Sequence, residues 1–496
     1  MKKKMVTLLM AGVLAMSGFT GYGAEVKAEE APTLDTSEEV ELSMYVISDR
    51  PAGQDVVDEN INALLKEKLN CTLKINWIPW SDYANKYPLL FSSGEEFDLI
   101  YTSAWLNYTS LARRGAFMPL DELWPTYAPK NYEATSDFAK QQTLVDGVSY
   151  CIPSQLATYR AYGPIYRTDI MEGTDWDGKM ETFEDIEEYC DIVKETQPGM
   201  EPLEIYSSGS EWDDVYMFSL GYLPAKGSAG DFFWYNAEEE NPKLMTYWEI
   251  AETPEFLEMM SRWNEKGFFS KSALSDTDST KQLNGKAAMR AHNLDTYQGL
   301  AIAHPEYKAK YAKFTKYSAH LPFTQDSIAV SNTSKNPERA LAAWDLITSD
   351  QEMYDAFMYG VKDTSYTLNE DGQFAITDPN LYAVSACWAA RSTALNRNQA
   401  GTPEDYKLLQ ESFEEEIAAD DTFEKYSAFT INTADVETEY SACQNAHQQY
   451  WWPLELGYTE AEAGLEQYKS AMEAAGVEKV REKLQAQLDE YVAAMK

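Results

Sequence analysis

Residues 42–102 alternate between two patterns, and this alternation limits the possible fold more than any other feature of the sequence. Residues 42–47 and 73–77 have the short apolar or alternating pattern of β-strands. The segment between them carries apolar residues at the spacing of an amphipathic helix: Val56, Val57, Ile61, Leu64, Leu65 and Leu69. A second helix is predicted over 83–91, before a third strand at 97–103. This order predicts an α/β fold with a largely parallel sheet.

The third predicted strand ends in the sequence FDLIYTSAW, which places Thr102 and Trp105 close behind it. In open α/β sheets, ligands bind in the crevice outside the carboxyl ends of the strands. Thr102 and Trp105 are therefore candidate ligand contacts, and the alternative for Trp105 is ordinary packing over the sheet edge. Trp80 and Tyr83 follow the second strand and are similar candidates, with core packing as their alternative.

The charge balance argues against several kinds of partner. The chain has 496 residues, with 81 acidic and 41 basic side chains and a formal net charge of −40. Nucleic acids and anionic membrane surfaces are bound through clustered Lys and Arg, so neither is expected as a partner. A chain of this length is large enough for one two-lobed domain or for two to three average domains.

Motifs for metal, nucleotide or acyl-transfer chemistry do not occur in the sequence. The four histidines are scattered without HExxH spacing, and no GxSxG, P-loop or GxGxxG pattern occurs. We therefore expect no metal, no cofactor and no enzymatic activity. The cysteines are Cys71, Cys151, Cys190, Cys387 and Cys443, an odd number that leaves at least one unpaired. We expect mostly buried thiols.

The first residues have the pattern of an export signal. Three lysines at positions 2–4 precede an apolar run over 5–16 that is too short to span a bilayer comfortably. Val-Lys-Ala at 26–28 then offers small residues where a signal peptidase reads the chain. We predict a signal peptide over 1–28, a flexible acidic leader over 29–40, and an exported protein.

Several segments with recognisable patterns follow in order along the chain: FDLIYTSAW with LARRGAFMPLDEL, VDGVSYCIPS, IYRTDI, GKAAMRAHN and SNTSKNPERALAAWDLITSD. Their joint order resembles that of the extracellular solute-binding proteins of ATP-driven importers, the maltose-binding-protein-like class. The tail contains SAFTINTADVETEY, QQYWWPLELG and AAGVEKVREKLQAQLDEY. It resembles a carbohydrate-importer subgroup with an extra carboxyl-terminal portion.

The resemblance implies a periplasmic-binding-protein-like fold of type II, in which two α/β lobes joined by a hinge enclose a ligand cleft. It places the first lobe at 41–153 and 323–365, and the second lobe, with the helical tail, at 154–322 and 366–496. It also implies a monomer that delivers ligand to the permease subunits of an ABC importer. Gram-positive members usually carry a lipid-anchored cysteine after the signal peptide. Here the first cysteine is Cys71, so anchoring through such a residue is not expected.

The resemblance adds candidate ligand contacts in both lobes. Ser48, Asp49 and Arg50 follow the first strand, where the family has a binding loop, and a solvated turn is the alternative. The remaining candidates follow the first crossing or lie in late second-lobe segments: Tyr159, Arg160, Asn293, Trp388 and Arg391. The alternatives are a surface ion pair for Arg160 and an amphipathic helix face for Trp388 with the arginine three residues later.

The aromatic content bears on the ligand. Aromatic residues make up 13% of the chain, including 13 Trp and 33 Tyr. Sugar rings present an apolar face that stacks on Trp or Tyr, and their hydroxyls bind charged and amide side chains at the rim. We therefore expect the protein to capture a carbohydrate, and more specifically an oligosaccharide. The alternatives are a peptide or sugar acid in the same fold, or a secreted glycosidase, which needs two carboxylates flanking the scissile bond.

Overall fold

The computed structural model describes residues 34–79, 82–156, 158–206, 211–225, 231–378 and 388–495. The predicted signal peptide, part of the predicted leader, Trp80 and Cys387 lie outside the described residues. The strands are β1 (Val40–Ile47), β2 (Cys71–Ile78), β3 (Leu99–Thr102), β4 (Leu144–Val145), β5 (Val148–Ser149), β6 (Ile152–Pro153), β7 (Tyr162–Tyr166), β8 (Glu201–Leu203), β9 (Tyr222–Pro224), β10 (Trp234–Asn236), β11 (Ala287–Asn293), β12 (Lys310–Tyr311), β13 (Ser327–Val330), β14 (Tyr366–Leu368) and β15 (Phe374–Ile376).

The α-helices are α1 (Gln54–Leu69), α2 (Tyr83–Ser93), α3 (Tyr108–Arg113), α4 (Leu123–Tyr127), α5 (Pro129–Ala134), α6 (Asp137–Gln142), α7 (Phe183–Thr196), α8 (Trp212–Leu220), α9 (Thr253–Lys266), α10 (Leu294–Ala303), α11 (Pro337–Ser349), α12 (Gln351–Tyr359), α13 (Glu404–Ala419), α14 (Glu437–Ala446), α15 (Trp452–Glu455), α16 (Ala461–Ala475) and α17 (Val477–Met495). Short 3-10 helices at Ala104–Leu106 and Trp388–Ala390 matter for the candidate site.

The first lobe is built on a five-stranded sheet with the order β2-β1-β3-β13-β6. Strand β1 pairs in parallel with β2 and β3, and helices α1 and α2 connect these strands, which confirms the predicted α/β order. Helix α1 buries Val57, Ile61 and Leu65, the apolar face that the helical spacing predicted. Strand β13 returns from the distant sequence and pairs antiparallel with β3 and β6, so the sheet is mixed.

The second lobe contains a smaller sheet with the order β12-β7-β11-β8. Strand β7 pairs antiparallel with β11 and β12, and β11 pairs in parallel with β8. Tyr162 at the start of β7 lies opposite Asn293 at the end of β11. The start of β7 and the carboxyl ends of β8 and β11 therefore meet at one edge of this sheet, the edge that the chain reaches as it leaves the first lobe.

Two large apolar cores correspond to the two lobes. The first core takes its buried residues from the stretch between Leu42 and Ile152 and from the stretch between Ile328 and Ala390. The second core runs from Tyr166 to Ala319 and resumes between Phe423 and Val492. The exact lobe boundaries stay a prediction. Strands β14 and β15, which the predicted boundary at 366 assigns to the second lobe, pack in the first core because Tyr366 and Phe374 bury their rings there.

The lobes are joined by chain segments that run side by side. The amide of Ser154 donates to the carbonyl of Asp326, the amide of Leu321 donates to that of Thr158, and the amide of Arg160 donates to that of Ala319, each at 2.7 Å. A third connection follows the 3-10 helix Trp388–Ala390 and leads into α13. A small number of connecting segments of this kind allows two rigid lobes to rotate about a few backbone bonds.

Cys71, Cys151, Cys190 and Cys443 are buried free thiols, which confirms the expectation for these four residues. Within the described ranges, no helix combines the length and the apolar character needed to cross a membrane.

Candidate functional site

An aromatic cluster, which we call the first wall, follows the first-lobe strands. Trp105 lies in the 3-10 helix Ala104–Leu106 directly after β3, where the Ser103 hydroxyl accepts a hydrogen bond from the Trp105 amide at 3.3 Å. Its ring centroid lies 5.7 Å from that of Tyr83 and 6.2 Å from that of Tyr101. Trp388 lies on the third connection between the lobes, and its ring centroid is 6.0 Å from that of Tyr101. The first wall is therefore Tyr83, Tyr101, Trp105 and Trp388.

Trp105 and Trp388 are both only partly buried, although they pack against the first core. A tryptophan held by edge-on aromatic neighbours keeps a defined orientation and loses little rotamer freedom when a ligand stacks on it. Two such indoles on one tyrosine form a rigid apolar platform. The arrangement suits a flat ligand face made of C–H bonds.

Charged side chains form a second wall at the edge of the second-lobe sheet. Arg290 of β11 lies with Nη1 3.2 Å from Oε1 of Glu204, and its Nη2 donates to the hydroxyl of Tyr206 at 3.2 Å. His292, two residues further along β11, has Nε2 3.5 Å from Oε1 of Glu211. The second wall is therefore Glu204, Tyr206, Glu211, Arg290 and His292.

Burial shifts the protonation of the second wall. It raises the pKa of the Glu211 carboxyl to about 7, against the opposing pull of Arg290. It lowers the pKa of His292 to about 3, and the charge of Arg290 adds to that effect. The pKa of Asp214, at the first turn of α8, is raised well above its ordinary value by burial and then by the charge of Asp213. At neutral pH this wall therefore offers a neutral imidazole at His292 and, at Glu211, a carboxyl group near its titration point, which can donate as well as accept hydrogen bonds.

The two walls approach each other at their tyrosines. Burial raises the pKa of the Tyr83 hydroxyl, and the neighbouring hydroxyl of Tyr206 adds to the increase. Deeper between the lobes, Arg391 has Nη1 4.0 Å from Oδ2 of Asp326, at the start of β13, and Nη2 3.5 Å from Oδ2 of Asp295, on α10. Arg391 therefore connects a carboxylate of the first lobe with a carboxylate of the second.

Gln155 lies at the crossing between the lobes with an amide that nothing in the described part of the chain satisfies. Its side chain is buried, with a residue exposure of 8%, and neither Oε1 nor Nε2 has a hydrogen-bond partner there. The same holds for Oε2 of Glu211 and Oδ1 of Asp214. Each such buried atom costs about 1–3 kcal/mol if left unpaired. The backbone amide of Gln155 donates to the carbonyl of Arg391 at 3.1 Å, which places Gln155 beside the ion pairs that Arg391 forms between the lobes.

The structure brings Trp105, Trp388 and Arg391 to the interlobe region, with Thr102 buried at the end of β3 behind them. Arg160 is also buried, with 4% exposure, and lies close enough to Asp214 for the two charges to interact. This placement differs from a surface ion pair. Its side chain is enclosed at the start of β7, on the second-wall side.

The other predicted contacts have local roles in the structure. Arg50 is exposed, and its Nη2 lies 2.5 Å from Oδ1 of Asp55 in α1. Asp49 beside it is also exposed. Both observations are typical of a solvated turn. Ser48 donates its amide to the carbonyl of Ile78 at 2.9 Å. These three residues are not brought to the two walls by any described contact, and their ligand role stays a prediction.

Two second-lobe candidates also make local contacts. The Asn293 side chain accepts a hydrogen bond from the Thr296 amide at 3.0 Å and so caps the start of α10. Tyr159 stacks on His320 and donates its hydroxyl to Glu414 at 2.6 Å. Trp80 lies outside the described residues, so its role also stays a prediction.

Tyr101, Gln155 and the second wall did not emerge from the sequence analysis. One signal was available for Arg290: a charged residue in the middle of the otherwise apolar run AAMRA is unusual in a buried strand. Glu211 lies in the run EWDD, where adjacent acidic residues surround a tryptophan that the structure fully buries. For Gln155 the sequence carries no comparable signal, because its burial depends on segments far away in the chain.

Replacing Glu211 by glutamine is expected to make stability less dependent on pH. A carboxyl whose pKa rises to about 7 on folding binds its proton more tightly in the folded state. Its contribution to the free energy of unfolding is therefore complete below the ordinary carboxyl pKa and is lost as the pH rises to about 7. Between pH 5 and pH 8 the wild type should lose up to about 3 kcal/mol relative to Glu211→Gln. Urea unfolding at both pH values measures this difference. The exposed Glu195→Gln in α7 serves as control, and equal pH dependence of the wild type and Glu211→Gln would contradict the prediction.

Comparisons with known proteins extend these observations. The family model described as bacterial extracellular solute-binding protein matches residues 50–354, and the model described as "Domain of unknown function (DUF3502)" matches residues 425–493. A carbohydrate ABC transporter substrate-binding protein of Streptococcus pneumoniae is 23% identical over 98% of this chain and 96% of its own length.

Solved structures share the fold. The N-glycan transport solute binding protein of Streptococcus pneumoniae, solved in complex with Man1GlcNAc, matches with a TM-score of 0.77 and 20% identity over 92% of this chain and 100% of its own. The alginate-binding protein AlgQ2, solved without calcium ion, matches with a TM-score of 0.63 and 14% identity over 91% of this chain and 98% of its own. At these identities the likeness concerns the fold.

Proposed function

Because this chain belongs to the family of bacterial extracellular solute-binding proteins, we propose that it captures an oligosaccharide between its two lobes and delivers it to the permease of an ABC importer. The observation that carries the proposal is that the aromatic first wall and the polar second wall lie on opposite sides of the cleft between the lobes. Trp105 and Trp388 offer stacking faces on one side, and Arg290 with Glu211 offers hydrogen-bonding groups on the other.

The chemistry of a sugar matches both walls. A pyranose ring stacks its C–H face on an indole and directs its hydroxyls outward, where each can donate and accept. Among the described residues, nothing pairs with the side-chain amide of Gln155, which needs one donor and one acceptor, or with one carboxyl oxygen each of Glu211 and Asp214. Vicinal hydroxyls supply both. Buried polar groups that wait for partners in this way produce strong discrimination against ligands that lack hydroxyls.

A neutral oligosaccharide fits this cleft better than a sugar acid. The second wall and its surroundings carry four acidic side chains at Glu204, Glu211, Asp213 and Asp214, whereas Arg290 and Arg160 are the neighbouring cations. An added carboxylate on the ligand would lose solvation there, and it would be repelled by whichever of these carboxyls is ionised. A sugar acid and a peptide are therefore the competing ligand classes that a binding test must include.

The similar proteins are named as binding proteins, and we propose binding without turnover for this chain as well. Binding proteins of this kind release their cargo unchanged to a membrane partner, here the permease subunits of the importer. We propose that the exported protein works as a monomer. Export would use residues 1–28, which lie outside the described residues.

Thermal unfolding of residues 29–496 against neutral oligosaccharides, sugar acids and peptides tests the proposal. A ligand at about 100 times its dissociation constant adds about 2.7 kcal/mol to the stability of the folded state, which raises the unfolding temperature by a few degrees. We expect a rise with neutral oligosaccharides and a smaller or absent rise with sugar acids. A rise with peptides alone would overturn the carbohydrate assignment, and conversion of a glycan to shorter products would show an enzyme.

A further inference from the structure

The segment matched by the second family model, residues 425–493, is an integral part of the second lobe. Its side chains at Trp451, Tyr468, Leu484 and Leu488 are fully buried in the second core. The Gln485 side chain accepts a hydrogen bond from the Leu244 amide at 2.8 Å. These contacts are apolar, extensive and made with residues distant in sequence, so the segment moves with the second lobe as one body.

The middle of the segment supports the polypeptide next to the second wall. Trp451 stacks on Tyr247 with ring centroids 3.6 Å apart, and its indole Nε1 donates to Oδ2 of Asp213 at 3.3 Å. The Tyr247 hydroxyl donates to the same oxygen at 2.8 Å. Asp213 lies in the first turn of α8 between Glu211 and Asp214, the two residues with unpaired carboxyl oxygens. The segment therefore fixes the backbone that carries these oxygens.

Another part of the segment contacts the first lobe beside the first wall. Glu437, the first residue of α14, forms an ion pair with Arg114, which directly follows α3. A small cavity lies next to this ion pair. It is lined on the first-lobe side by residues that include Ala104, Asn107 and Ser110, and on the segment side by residues that include Thr430, Thr433 and Tyr440. Ala104 begins the 3-10 helix that carries Trp105.

We infer that residues 425–493 act as a closure clasp, whose exposed edge binds the Trp105 helix and α3 of the first lobe and thereby stabilises the closed cleft. The inference rests on the proposed function for its ligand, but the contact itself needs none. The segment is fixed to the second lobe, and its ion pair with the first lobe, between Glu437 and Arg114, crosses the interlobe gap. Rotation about the hinge separates Glu437 from Arg114, so the contact exists in one state of the hinge and is lost in the other.

The clasp has a calculable consequence for affinity. When only the closed state holds ligand tightly, the apparent dissociation constant is the intrinsic one divided by the closed fraction. A contact that favours closure therefore tightens binding without touching the ligand. Arg114 and Glu437 expose 53% and 43% of their side chains, so the ion pair is weak and its loss produces a modest change.

Charge reversal at the clasp tests the inference in the full exported chain. We expect Arg114→Glu and Glu437→Arg each to weaken the binding of a neutral oligosaccharide by about three- to tenfold, because like charges then oppose closure. The double variant restores the pair with its charges exchanged and should return the dissociation constant to within about twofold of the wild type. Titration calorimetry measures all four proteins.

Arg113→Glu is the matched control. Arg113 is the neighbouring residue and pairs with Asp146 at 2.7 Å, a contact within the first lobe that hinge rotation leaves intact. Its dissociation constant should equal that of the wild type. If both single clasp variants bind as tightly as the wild type, or if the double variant is no better than the singles, the clasp inference is overturned.

Small-angle X-ray scattering without ligand separates this inference from the proposed function. We expect a larger radius of gyration for Arg114→Glu and Glu437→Arg than for the wild type, and recovery in the double variant. This result would support the clasp even if no glycan bound to the wild type, which would refute the proposed function alone. Equal radii for all variants would overturn the clasp even if the wild type bound a glycan.

Discussion

Replacing Trp105 by alanine is expected to weaken the binding of a neutral oligosaccharide about 30-fold. A central, well-packed tryptophan at a binding surface contributes about 2 kcal/mol when truncated, and 1.4 kcal/mol corresponds to a tenfold change in affinity. Trp105 is partly exposed, follows the strand end of β3 and is oriented by Tyr83 and Tyr101. The loss should appear mainly as faster dissociation, which surface plasmon resonance measures directly.

Trp388→Ala should have a similar effect, since Trp388 shares Tyr101 with Trp105. Trp176→Ala is the matched control. Trp176 is a partly buried second-lobe tryptophan that packs against Tyr166, at the far end of β7 from the cleft edge. It should lower stability and leave ligand affinity unchanged. If Trp176→Ala weakens binding as much as Trp105→Ala, the aromatic wall is not the binding surface.

Replacing Arg391 by methionine is expected to lower the free energy of unfolding by about 2 kcal/mol at neutral pH, because a buried carboxylate loses its partner. Asp326 is 8% exposed, burial raises its pKa, and Arg391 opposes that increase. Without the arginine the carboxylate pKa rises further, so the stability loss should be largest at high pH and shrink as falling pH protonates Asp326. Urea unfolding between pH 5 and pH 8 measures this trend.

Two further variants isolate the hinge contribution. Arg391→Met combined with Asp326→Asn should recover part of the lost stability, since the buried carboxylate is removed together with its partner and Asp295 keeps the hydrogen bond from the Tyr406 hydroxyl. Arg397→Met is the control for position. Arg397 pairs with Asp355 at 2.8 Å, and its side-chain exposure of 22% resembles the 20% of Arg391. Arg397→Met should lower the free energy of unfolding by a similar amount and leave ligand affinity unchanged. Arg391→Met should lower both the free energy of unfolding and the ligand affinity. A stability loss of Arg391→Met that is independent of pH would contradict this account.

Local patterns predicted the elements of the first lobe well. The alternation between residues 42 and 102 is a property of neighbouring residues, and the parallel pairing of β1 with β2 and β3 follows from it. The strand-end position of Trp105 is also local, so the sequence alone placed it correctly relative to β3. Arg50 also follows a strand end, but its partner Asp55 lies only five residues away in exposed surroundings, and its ligand role stays a prediction.

The polar wall depends on contacts that no local pattern carries. Glu211 lies at the start of α8 and Arg290 on β11, far apart in the sequence, and their charges interact only in the folded chain. Burial then moves the pKa of Glu211, and the nearby Asp213 is held by Trp451 from a distant part of the chain. Gln155 is a similar case, since its backbone amide bonds to the carbonyl of Arg391, which lies far away in the sequence.

Titration calorimetry of residues 29–496 with the neutral oligosaccharide that most raises the unfolding temperature tests the central claim most directly. We predict one ligand per chain, a dissociation constant in the micromolar range or below, an intact glycan after the titration, and a negative heat-capacity change from the buried aromatic surface. The absence of binding heat with every neutral glycan, together with a clear titration by a peptide or a sugar acid, would contradict the claim that this cleft captures a neutral carbohydrate.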